Sequence, residues 1–150
     1  MVNALSNRAS WKSEPCGRPN CLPCKTKEGS CKARNVTYGI ECLNCKDEGK
    51  KAVYWGESHR TWYNKAREHG RALETRDTSY GIVKHHLANH RDQEPKFAFK
   101  LDRSRKNSLQ IQIAESILIQ ETPLESLINS KSEWGAYSIP RLTVESEQER

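Results

Sequence analysis

The hydrophobic positions of this chain come in short runs, and the period of those runs changes several times along the sequence. In NVTYGIEC, Val36, Tyr38 and Ile40 fall at every second position, which predicts a strand over Asn35–Cys42 with these side chains on one face. KDEGK is a polar turn pivoting on Gly49, and the apolar run after it predicts a second strand over Ala52–Trp55, so the two form a hairpin. From Thr61 to Glu74 the period lengthens. Trp62, Ala66 and His69 with Gly70 share one stripe of a helix, ringed by charges. A shorter helix is predicted over Ser79–Asn89, with Ser79 as N-cap and Ile82, Val83 and Leu87 as a small apolar face. KFAFKLD, Lys96–Asp102, alternates again and predicts a third strand. In SLQIQIAESILIQE, Leu109, Ile111 and Ile113 alternate like a strand, whereas Leu109, Ile113 and Ile117 fit a helix. The length of the run and its end at Glu-Thr-Pro favour a helix over Asn107–Gln120. The expectation is a small α/β (α+β) domain, a three-stranded antiparallel sheet flanked by helices.

Outside this body the periodicity stops. Residues 1–15 are polar and unpatterned, as in a flexible arm. In CGRPNCLPCKTKEGSC, Pro, Gly and Asn argue against any regular helix, and few apolar side chains are available for burial. LESLINSKSEWG is expected to pack back on the body. The expected division is therefore an arm over 1–15, a cysteine-rich knuckle and linker over 16–34, the body over 35–134 and an acidic tail over 135–150.

Composition changes this picture in two ways. Only 35% of the 150 residues are hydrophobic, so a single domain of this size needs support beyond its core. Six cysteines, at 16, 21, 24, 31, 42 and 45, offer that support. MVNALSNRASWK has no apolar core of the secretory kind, so paired C-x2-C spacings favour zinc over disulfides. Four thiolates from Cys16, Cys21, Cys24 and Cys31 would close a tetrahedral Zn²⁺ cage and hold together a loop that cannot hold itself. Cys42 and Cys45 form another C-x2-C turn, and KHHLANH supplies two imidazoles, His90 with either His85 or His86. No run approaches the ~20 apolar residues of a membrane span. The reading is a nuclear or otherwise intracellular protein, neither secreted nor membrane-bound.

Charge is uneven. Residues 1–114 hold 22 Lys/Arg against 12 Asp/Glu, and residues 115–150 hold 3 against 7. A basic body suits a polyanion, DNA or RNA, and the knuckle would present Arg18, Lys32 and Arg34 to phosphates.

Between Val36 and His69, TYGI and VYWG stand as two half-motifs, with Cys42 and Cys45 between them and GESHRTWYNKAREH following. At these residues the chain resembles the GIY-YIG endonucleases, and more narrowly the endonuclease domain of Penelope-like retroelements. The resemblance covers residues 16–134. It implies a domain that nicks target DNA and belongs to a longer polypeptide carrying a reverse transcriptase. It also implies the upstream knuckle and a second zinc site, for which His85 and His90 are chosen with His86 as substitute.

The resemblance assigns roles position by position. Tyr38 would be the general base, provided a nearby cation lowers its pKa, and Tyr54 would orient water or phosphate. Glu115, in AESILI, would hold a catalytic Mg²⁺ or Mn²⁺. His69 would orient water or phosphate, or pack at the helix end, and Arg60 would touch the DNA backbone. The chain departs from the pattern at Lys65, where an arginine is expected. Lysine keeps the charge but lacks the planar fork that grips phosphate oxygens in pairs. Either Lys65 serves, or Arg67 reaches the phosphate, or activity is weakened. The alternative function is a catalytically silent, zinc-stabilised nucleic-acid-binding module.

Overall fold

A computed structural model describes residues 16–18, 21–26 and 31–130. The arm over 1–15 and the acidic tail over 135–150 lie outside them. The element order is α1 (Leu22–Thr26), β1 (Val36–Cys42), α2 (Leu43–Asp47), β2 (Val53–Ser58), α3 (Trp62–Thr75), α4 (Gly81–Asn89), β3 (Phe97–Ser104) and α5 (Ser108–Glu121), followed by a 3-10 turn at Leu124–Ser126. The sheet has three antiparallel strands in the order β2-β1-β3. Tyr38 stands opposite Gly56 and Leu101, and Ile40 opposite Tyr54 and Phe99.

The period-two face of β1 becomes the core. Val36, Tyr38, Ile40 and Phe99 are buried against Trp62, Ala66 and Ala72 of α3 and against Ile82 and Val83 of α4. Trp62 is wholly buried, a side chain whose truncation to alanine typically costs about 3–5 kcal/mol. α5 packs on β2 and β1, with the Trp55 indole nitrogen donating to Thr122 Oγ1 at 2.8 Å. Gly39 makes room for that indole, since a Cβ there would stand 2.7 Å from its ring.

The end of the described chain closes one sheet edge. Leu127 pairs in parallel with Val53, and Ile128 N donates to Val53 O at 2.9 Å. The Asn129 side chain then mimics a strand, accepting from Trp55 N at 2.9 Å and donating to Trp55 O at 2.8 Å.

Four local expectations need correction. The knuckle does contain a helical turn, α1, because Pro23 sits in its first turn, where a missing amide hydrogen costs nothing. The hairpin turn is partly helical as well. Cys42 caps α2 by accepting from Cys45 N through its sulfur, and Gly49 follows at φ +76°. β2 runs to Ser58, past Trp55, because β1 pairs with it throughout. Ser79 is not the cap of α4. Its N–H and hydroxyl both donate to Asp77, and the helix starts two residues later behind Tyr80, which makes no side-chain cap bond.

Candidate metal centres and tyrosine cluster

Six free cysteines and two histidines converge on two groups of four. In each group all ligand atoms lie within 4.8 Å of one another, and each group could bind zinc. The first is Cys16, Cys21, Cys24 and Cys31. Cys24 and Cys31 Sγ are 3.7 Å apart, far beyond the ~2.05 Å of a disulfide. That spacing matches the ~3.8 Å edge of a tetrahedron with Zn–S bonds near 2.3 Å. Burial pushes the Cys21 thiol well up and Cys31 up to about 11, while the Arg18 backbone N–H draws Cys16 down to about 7. Cys21 and Cys31, desolvated in this way, become thiolates at neutral pH only with a cation beside them.

The knuckle is docked rather than appended. Cys31 O accepts Tyr63 N at 2.8 Å and Ala33 O accepts Trp62 N at 2.9 Å, so the knuckle's exit satisfies the first amides of α3. Thr61 Oγ1 accepts Asn64 N at 3.3 Å and completes the cap. Leu22 fits over Gly70, where a Cβ would meet it at 2.8 Å. Arg18 lies 4.2 Å above the Tyr63 ring, a cation–π contact, and Lys32 and Arg34 are exposed.

The second group is Cys42, Cys45, His85 and His90. Cys45 Sγ lies 3.3 Å from His85 Nε2 and 3.1 Å from His90 Nε2. Burial raises the Cys45 thiol to about 11, and burial with the neighbouring His90 and His86 lowers His85, which favours the neutral imidazole a metal needs. His86 faces elsewhere, its Nε2 lying 2.8 Å from Gln93 O. Glu48 Oε2 stands 3.4 Å from His90 Nδ1, too far for a good hydrogen bond but placed as carboxylates stand behind metal-bound histidines. Asn44, unmarked by any sequence pattern, is buried and fixes the return of the chain. It donates to Gln93 Oε1 and Glu94 O and accepts Lys96 N.

The tyrosine cluster sits between β1, β2 and α3. The Tyr38 hydroxyl and His69 Nε2 are 2.9 Å apart in a buried contact. The rings of Tyr54 and Tyr80 lie 5.5 and 5.4 Å from the His69 ring, and Trp62 lies 4.8 Å from Tyr38. Gly56 is required by this packing, because a Cβ there would overlap the Tyr38 phenol. Tyr38 is 1% exposed, His69 3% and Glu115 4%, while Tyr54 and Tyr80 are half-buried. Burial, reinforced by Tyr54, Glu115, Glu57 and Glu68, drives the Tyr38 pKa well above its ordinary value. The direction is opposite to the one a general base needs. Burial and then the Lys65 charge hold His69 neutral, at a pKa of about 3.

Around the cluster, Glu68 ties two of the expected phosphate ligands together. It binds the Arg60 guanidinium and lies 3.4 Å from Lys65 Nζ. Burial works against the charged carboxylate, yet Arg60 and Lys65 outweigh it and lower its pKa. Arg67 is exposed on α3. Sequence reasoning passed over Glu68 as a solvated helix charge, and only its spacing from Lys65 hinted otherwise. Tyr80 carried no signal at all.

No protein-family model matches this chain, and no curated protein or solved structure matches it either. No helix among the described residues is long and apolar enough to cross a membrane.

Proposed function

We propose that this chain is a zinc-stabilised, metal-dependent DNA endonuclease of the GIY-YIG type, nicking target DNA for a Penelope-like retroelement whose reverse transcriptase lies on a longer polypeptide. The observation that carries the reading is the meeting of the two half-motifs. Tyr38 stands opposite Gly56, its hydroxyl on His69, with the Tyr54 ring 5.5 Å from the same imidazole.

Glu115 would hold Mg²⁺ or Mn²⁺, which would neutralise the phosphate and assist the leaving oxygen. The raised pKa of Tyr38 argues against a resident phenolate. Its hydroxyl would act as general base once the bound cation lowers that pKa, with His69 Nε2, 2.9 Å away, orienting it. Tyr54, half-buried beside His69, orients the water. Lys65 and Arg60 neutralise phosphate once a DNA oxygen competes with Glu68 for them.

The second reading, a silent DNA- or RNA-binding module, is favoured by Lys65, which lacks the bidentate fork and is already paired, and by the burial of Tyr38. Supercoiled-plasmid nicking in Mg²⁺ or Mn²⁺ separates the two. The endonuclease reading expects nicking by this chain and its loss in Glu115→Gln. Nicking only by Lys65→Arg means that one side chain has weakened the enzyme. DNA binding without nicking by any of these proteins leaves the module.

A further inference from the structure

The strand register brings three chain segments to one end of the sheet. Val36, the first residue of β1, is paired with Ser58, the last of β2, and with Ser104, the last of β3. Arg34 before β1, Arg60 after β2, and Arg105 with Lys106 after β3 therefore share one rim. Hydrogen bonds fix its middle. Ser104 Oγ donates to Arg34 O at 2.6 Å, Arg105 N donates to Asn35 O at 2.7 Å, and Asn35 Nδ2 donates to Lys106 O at 3.4 Å. Arg103 extends the rim into a groove that it lines with Arg105, Gln110 and the outer side of α5. Asp102, the acid in that groove, accepts the Thr37 hydroxyl at 2.7 Å. Arg105 Nε is buried with no hydrogen-bond partner, an arrangement that an anion would complete.

We infer that this rim is a second phosphate-binding surface, on which Arg103, Arg105 and Lys106 hold the backbone of duplex DNA away from the tyrosine cluster. The choice of DNA as the polyanion rests on the endonuclease reading, while the surface itself rests on the register. Neighbouring strands lie ~4.8 Å apart, so the β2 and β3 ends of the rim are separated by about 10 Å. That is about three base-pair steps measured along the duplex axis, at ~3.4 Å of axis per phosphate of one strand. One backbone can therefore pass Arg60 at one end and Arg105 and Lys106 at the other. These three side chains thereby set where along the duplex the tyrosine cluster falls.

The test is fluorescence anisotropy of the zinc-loaded protein with a labelled duplex of about 30 bp, from about 50 to 300 mM salt. Plasmid nicking is measured on the same preparations. Each lost phosphate contact should flatten the slope of log K against log salt by about 0.9, so Arg105→Gln with Lys106→Gln loses about two units. Arg105→Lys should keep most of the slope. Arg103→Gln with Lys106→Gln alters only exposed side chains, leaves the buried Arg105 nitrogen in place and guards against a folding artefact. An unchanged slope in both double variants, with zinc content and melting like the parent, overturns the rim. So does absence of duplex binding by the parent. Duplex binding with the expected slopes but no nicking, by this chain or by Lys65→Arg, keeps the rim and removes the endonuclease reading.

Discussion

The two four-ligand groups are alike in size and chemistry but differ in what they join. Cys16, Cys21, Cys24 and Cys31 lie within one short stretch, and two of them, Cys16 and Cys24, are partly exposed. Cys42, Cys45, His85 and His90 link the end of β1 and α2 to α4 across some forty residues, and three of the four are buried. A metal in the first group closes a loop. A metal in the second would tie the end of β1 and α2 to the end of α4, beside the core in which Ile82 and Val83 already meet the sheet. Two similar sets of thiol and imidazole ligands can thus hold a local fold in one case and a global fold in the other.

Removing a ligand from each group tests this difference. Cys45→Ala should abolish cooperative unfolding of the whole domain. Structural zinc contributes about 10–16 kcal/mol in small peptides, as much as a domain's entire stability. Circular dichroism and near-ultraviolet spectra at room temperature would reveal a native-like fold if the assignment is wrong. Cys24→Ala should cost less, about 2–4 kcal/mol, the scale of two helix-end hydrogen bonds and one half-buried leucine. Hydrogen exchange should accelerate at Trp62 and Tyr63 while β1 stays protected. Equal acceleration across the sheet would erase the distinction.

Gly56→Ala probes the core between the two groups. Its methyl would overlap Tyr38, so urea unfolding should show a loss of about 1–3 kcal/mol that excess zinc does not restore. pH acts on the same core. The His69 pKa is lowered by folding to about 3, from an ordinary value of 6.5. Its contribution is complete above about 6.5 and is lost as pH falls toward 3, because the unfolded chain takes up the proton first. Below pH 6.5, stability should drop by up to about 1.4 kcal/mol per pH unit from this residue. His69→Gln keeps both ligand groups, so the difference in acid slope between it and the parent isolates the effect; equal slopes would contradict it. The smallest change is expected for Arg18→Ala, about 0.5–1 kcal/mol by urea unfolding. A larger loss would mean that the knuckle depends on that contact more than on its metal.

Much of the frame was legible because it is written in period. β1, α3 and α5 begin and end within a residue or two of where alternation and helix stripes put them, and Thr61 and Asn107 cap their helices as such residues do. The pairing of Cys42 and Cys45 with His85 and His90 could be proposed but not settled, since adjacent His85 and His86 satisfy spacing equally. What separates them is Gln93, whose carbonyl takes His86. The extension of β2 through Gly56 and Ser58 ran against local propensity. It depends on partners that no window around it contains, the register of β1 and the side chain of Asn129. Glu68 was hidden for a related reason. Its strongest partner, Arg60, lies before the helix, and only the bend at Thr61 brings the two together.

The edge closed by Leu127–Asn129 bears on how the chain leaves the ribosome. β2 is complete once Ser58 has emerged, but the Val53–Trp55 part of its outer hydrogen-bonding row acquires its cover only after Asn129 does. At ~5–20 residues per second, the nascent sheet shows a bare margin for roughly 4–14 s, with β3 and α5 synthesised in the interval. Bare sheet margins are where chains pair with the wrong partner. On a polysome this places the period of greatest risk late, and makes an asparagine near the end of the domain the residue that brings it to a close.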